Sequence, residues 1–164
     1  MSFNFRARLE TGKEASVYVE ASRKEISQVL NQLKLDLSEF LRVELDLLIK
    51  DEIELKQDNL EIHPNLLNQL NHLKTFNPLG PKTRIKTGYK TVSFQGKGNN
   101  SIELFHLREG QKVYPLNIKN GINKFIASNS EELVEIIGTI LEDPKTYAKL
   151  AKLKAFASNE NEGF

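Results

Sequence analysis

Between residues 82 and 98 lie Lys82, Arg84, Lys86, Tyr89, Lys90, Phe94 and Lys97, with no acid among them. Cations that track phosphates and aromatic faces on which bases stack are the two requirements of single-strand nucleic-acid binding. If 83–95 is one regular strand, Arg84, Lys86, Lys90 and Phe94 share a face. A bulge at Gly88 would move Phe94 off that face. Arg108, Lys112, Tyr114 and Lys119 extend the surface into the strands that follow, and Gly96-Lys97-Gly98-Asn99-Asn100 is a flexible basic tip. The competing reading is a solvated sheet face with Phe94 and Tyr114 in the core, where strand aromatics usually sit.

Charge distribution supports attention to this region. The net charge of the 164 residues is only +1. Residues 1–73 carry net −4, residues 74–124 net +8 and residues 125–164 net −3. A basic middle between acidic flanks marks a polyanion-binding face unless the flanks fold back and neutralise it.

Other chemistry is poorly represented. The chain has no cysteine, which removes disulfides, thiolate metal sites and cysteine nucleophiles. It also fits a reducing, cytoplasmic setting. The histidines His63, His72 and His106 have no metal-ligand spacing. Glu44, Asp46, Asp51, Glu52 and Glu54 alternate with apolar residues, as a solvated strand face does, and no base or nucleophile accompanies them. Gly96-Lys97-Gly98 is too short for a phosphate loop. We therefore expect no enzyme, cofactor or metal. The start, Met1-Ser2-Phe3-Asn4-Phe5-Arg6, has no apolar signal region, and no apolar run approaches the ~20 residues of a membrane span. A composition that is 39% hydrophobic and 27% charged permits a core.

The elements that position these residues follow from periodicity. Phe3, Phe5, Ala7 and Leu9 alternate with polar residues, and so do Ala15, Val17, Val19 and Ala21. With Thr11-Gly12-Lys13-Glu14 between them they read as a β-hairpin. Ser22-Arg23-Lys24-Glu25 reads as a capping box opening a helix over about 23–38, with Ile26, Val29, Leu30, Leu33 and Leu37 as its stripe. Leu41, Val43, Leu45, Leu47, Ile49, Ile53 and Leu55 share one parity, which favours a strand over the helix that Leu41, Leu45, Leu48 and Ile49 would also fit. His63-Pro64 opens a helix with Leu66, Leu67, Leu70 and Leu73. The prolines and glycine of 76–81 then break the chain, giving a sub-boundary near 76–82.

Strands are predicted over 83–95, 101–108 and 112–119, with a short edge strand over 123–127. Ser130-Glu131-Glu132-Leu133 opens a helix, and Asp143-Pro144 ends it and starts another, whose Lys145, Lys149, Lys152 and Lys154 form a solvated face. The expected class is α+β: antiparallel sheet packed with helices, with two similar β-rich halves each with a helix as one reading of it, in one compact domain of residues 1–157. Residues 158–164 form a flexible acidic tail.

Two resemblances bear on function. The acidic end, with Glu160, Glu162 and a terminal Phe164, resembles the partner-recruiting tails of bacterial and phage single-stranded-DNA-binding proteins. The strand–strand–strand–helix order of 83–142 is similar to that of Whirly-type and coactivator-type single-strand binders; this is an analogy of order, carried by no diagnostic motif. The expectation is a non-enzymatic binder of single-stranded DNA or RNA, with a protein partner at the tail. The alternative is an adaptor or structural subunit of a phage or multi-protein assembly, which predicts an exposed apolar patch along Leu41–Leu55 or residues 66–73 and a homo-oligomer.

Overall fold

The computed structural model describes residues 3–57, 82–98 and 100–161. The helix read at 64–73, the break at 76–81, Asn99, Glu162 and Phe164 lie outside the described residues. Among those described, the order is α1 (Phe5–Leu41), β1 (Asp46–Gln57), β2 (Lys82–Gln95), β3 (Ser101–Gly110), β4 (Val113–Asn120), β5 (Asn123–Ala127), α2 (Ser130–Glu142) and α3 (Pro144–Asn161). The strands form one sheet in the order β1-β2-β3-β4-β5. The class is α+β. The described strands of both halves belong to this one sheet.

The chain divides into two compact units: residues 1–50 with 89–164, and residues 51–88. In the larger unit, α1 packs on β4 and α2, α2 on β5 and α3, and α3 on β3. Cross-strand register sets which side chains meet the helices. Val92 pairs with Phe105, Leu107 with Ile118, and Leu116 with Ala127. Directly opposed residues point to the same side of a sheet, and all six are buried. Leu30, Leu33, Leu37 and Leu41 of α1, Leu133, Ile137 and Ile140 of α2, and Leu150 and Leu153 of α3 complete the core. In the smaller unit, the Thr87 hydroxyl donates to the Glu52 carbonyl oxygen over 3.5 Å, and Lys86 lies 3.4 Å from Asp51.

The N-terminal hairpin is not formed. Residues 5–41 are one helix of 37 residues. Alternation identifies a strand only when one of its two sides is buried. Here, from Phe5 to Ala21, no side chain is buried and only Val19 is half-buried, so the alternation reports no face. Ala, Leu, Glu, Arg and Lys in this stretch all favour helix. Asn4 caps the start by accepting from the Ala7 N–H. The serine of the expected capping box, Ser22, sits in mid-helix, buried as a small residue on the packed face. The strand read from Leu41 begins later. Leu41 is the last residue of α1, and Arg42 ends the helix in the left-handed conformation, φ 55°.

The later elements fall where spacing placed them. Two side-chain caps begin α2: the Asn129 side chain accepts from the Glu132 N–H at 2.8 Å, and Glu132 accepts from the Ser128 N–H at 2.6 Å. Asp143 accepts from the Lys145 N–H at 3.0 Å, with Pro144 at the first position of α3. The β3–β4 turn needs its glycine: a Cβ on Gly110 would lie 2.7 Å from the Pro115 carbonyl oxygen. The backbone of α3 runs through Asn161, so the first residues of the segment read as a tail are helical.

Candidate nucleic-acid interface

The sheet face turned away from the helices carries the polar residues of the opposite parity. Register pairs Thr91 with His106, Arg108 with Asn117, His106 with Lys119, and Lys119 with Lys124. Each pair shares a side, so four neighbouring strands present one largely polar face, on which Ile126, opposite Asn117, stands 64% exposed. Tyr89 stands two residues before Thr91 and belongs to the same side. Its ring holds two cations: the Arg108 guanidinium carbon is 4.6 Å from the ring centroid and the Lys119 ammonium 4.2 Å. Each contact is worth about 0.5–1 kcal/mol at an exposed site.

The chemistry of this grouping is anion attraction. One ring draws two like charges together, and a phosphate oxygen near both would relieve their repulsion. Lys124, exposed on β5, adds a third charge opposite Lys119. Beside them, the Thr91 hydroxyl and His106 Nδ1 are 3.0 Å apart. The other imidazole nitrogen lies 4.0 Å from Glu103, an acid within the face.

The predicted residues do not all assemble here. Tyr89, Arg108 and Lys119 come together. Lys90 pairs with Leu107 and therefore lies on the opposite side of β2, where it remains exposed. Phe94 shares that side and is fully buried, so it offers no ring to a base. Tyr114 is also in the core: 9% exposed, its hydroxyl donates to Glu25 across 3.4 Å. Burial first, then the nearby Glu25 carboxylate, pushes its phenol up to about 12. Lys97 is drawn to Glu44, 3.4 Å away. Arg84 and Lys86 are exposed residues of the smaller unit, with Lys86 beside Asp51. Lys112 is exposed at the β3–β4 turn. Lys82 opens β2, and Glu160 belongs to the last turns of α3.

The acidic flank thus neutralises part of the basic segment, at Lys86 and Lys97. Lys124 was not anticipated. The signal lay in the tight connection between β4 and β5, which pairs Asn120 with Asn123 and hence Lys119 with Lys124.

Among the described residues, no cluster of three or more histidines and acids could hold a metal, and no helix is long and apolar enough to cross a membrane. Comparisons with protein-family models, curated proteins and solved structures find no match to this chain.

Proposed function

We propose that this protein binds nucleic acid, single strands in preference to duplex, through the outer face of β2–β5, and carries out no catalysis. One observation carries the reading: Tyr89 gathers Arg108 and Lys119 on an open sheet face with Lys124 alongside. A flat sheet suits a splayed single strand, because phosphates can track the cations while a base approaches the aromatic surface. The absence of cysteine supports action in the cytoplasm, and the acidic end with Glu160, Glu162 and Phe164 supports recruitment of a protein partner. The test is a fluorescence-anisotropy titration of labelled single-stranded DNA, single-stranded RNA and duplex at about 50 and 200 mM salt. Tighter single-strand binding that weakens with salt is expected. No binding at the lower salt overturns the proposal, and salt-independent binding overturns its mechanism.

A further inference from the structure

A groove of about 510 Å³ runs between α1 and α2 within the larger unit. Its floor is apolar: Val29 and Leu33 come from α1, and Val134, Ile137 and Leu141 from α2. Solvent reaches the floor, since Val134 is 53% exposed and Val29 and Leu141 are half-buried. The walls run from Glu25 to Asp36 on α1 and from Ser130 to Leu141 on α2. Each is about three turns, or about 17 Å, long. Both rims are acidic. Glu25 and Asp36, both exposed, mark the ends of the α1 wall, and no lysine, arginine or histidine is among the described lining residues. Both acids are held by neighbours: the Tyr114 hydroxyl donates to Glu25 across 3.4 Å, and the Gln32 side-chain amide donates to Asp36 at 2.9 Å. On α2, Glu131, Glu135 and Glu142 fall beside Gly138 at helical spacing, and all three are exposed. No basic residue occurs in α2. Gly138 is a second, independent signal. It lines the groove in mid-helix, where glycine is the least favourable residue after proline. A Cβ there would meet nothing within 4 Å, so packing among the described residues does not require a glycine. A bare backbone at that point lets an occupant approach closely.

We propose that this groove receives a cationic amphipathic helix of a different protein, about three turns long. Its apolar side meets the floor at Val134 and Ile137, its backbone passes close to Gly138, and lysines or arginines on both flanks meet the acidic rims. An apolar floor between charged edges is the arrangement that helix-in-groove recognition uses. Nucleic acid is not the occupant, because acidic rims on both sides repel phosphate. A second copy of this chain supplies no such segment among its described helices. The lysines of α3 accompany Leu150 and Leu153, and both leucines are buried in that copy's own core. The first turns of α1, up to Ala21, carry Arg6, Arg8 and Lys13 but balance them with Glu10, Glu14 and Glu20. The occupant is therefore a separate protein with a basic, amphipathic helical segment.

The inference is independent of nucleic-acid binding and is tested without it. The probes are two labelled synthetic peptides of about 14 residues. Both carry leucines at helical spacing on one side, with lysines on both flanks in one and glutamates in the other. Anisotropy with the full-length chain at about 50 mM salt, where surface charges are little screened, should show the lysine peptide bound at least about tenfold more tightly. Gly138→Leu fills the groove and raises helix propensity. It should therefore weaken the lysine peptide at least about tenfold, while the thermal midpoint holds or rises. Glu135→Lys with Glu142→Lys should shrink the preference between the peptides. Glu20→Lys, on α1 before the groove begins, should leave it unchanged. No binding of the lysine peptide at about 500 μM overturns the proposal, and so does equal binding of the two peptides or undiminished binding by G138L. A chain that shows twice its mass in light scattering, and its single mass once G138L is made, would give the groove to a second copy and overturn it likewise.

Discussion

The Tyr89 cluster makes a quantitative demand on binding. Each cation that neutralises a phosphate of a single strand contributes about 0.7 to the slope of log affinity against log salt. Arg108, Lys119 and Lys124 occupy one face, so together they should contribute a slope of about 2, or about a 20-fold loss of affinity between 50 and 200 mM salt. Arg108→Ala should lower the slope by about 0.7 and cut the loss to about sevenfold. Tyr89→Ala leaves the charge unchanged. It should therefore weaken binding at every salt concentration, by about 1–3 kcal/mol if a base stacks there, while keeping most of the slope. Lys86→Ala and Lys97→Ala are the controls, because both lysines already lie 3.4 Å from a carboxylate. Anisotropy with one labelled oligonucleotide at five salt concentrations reads all of these. The reasoning fails if R108A binds with the wild-type slope, or if K86A and K97A lower the slope as much as R108A does.

Three further outcomes follow from the packing. Phe94→Ala empties a fully buried site and should cost about 3–5 kcal/mol in urea unfolding; a cost below 1 kcal/mol would place the ring outside the core. Asn129→Ala removes the side-chain acceptor for the Glu132 N–H and should cost about 1 kcal/mol, which thermal melting would show as a lowered midpoint. Tyr114 predicts alkaline behaviour. Its phenol ionises near 12 in the fold against about 10 in the unfolded chain. The stabilisation is whole below pH 10 and declines as pH rises towards 12, because only the unfolded state releases the proton there. Unfolding free energies of the wild type should therefore fall faster than those of Tyr114→Phe across that window, and parallel curves would contradict the assignment.

The second half of the fold was legible because its boundaries are written locally. Gly96-Lys97-Gly98, Glu109-Gly110 and Asn120-Gly121 mark turns, and Asn129 with Glu132 and Asp143 with Pro144 mark helix starts. In the first half, the helix read over 23–38 and the strand read over 41–55 are found within α1 and as β1, but the hairpin read before them is not. Period-two alternation between residues 3 and 21 looks like a half-buried strand, but it is the chance pattern of a helix that buries neither side. The site was half legible. Cationic and aromatic types in 82–119 were visible, but which of them meet depends on pairing between strands. Gly88, at φ 87°, adopts a conformation foreign to a regular strand. The cross-strand partners of Lys90 and Phe94 set both on the helix side of the sheet, where Phe94 is buried and Lys90 stays exposed. Neither the clasp of Tyr89 by residues 19 and 30 positions later nor the arrival of Lys124 beside Lys119 is written in any single strand.

The length of α1 has a consequence for the order of synthesis. This helix is synthesised before the surfaces that cover its stripe, on β4 and α2, which are encoded up to about 100 residues later. At about 5–20 residues per second that is roughly 5–20 s of exposure. Ile26, Leu30, Leu33 and Leu37 spend those seconds in water on a nascent chain, open to chaperones and to neighbouring nascent chains on the same message.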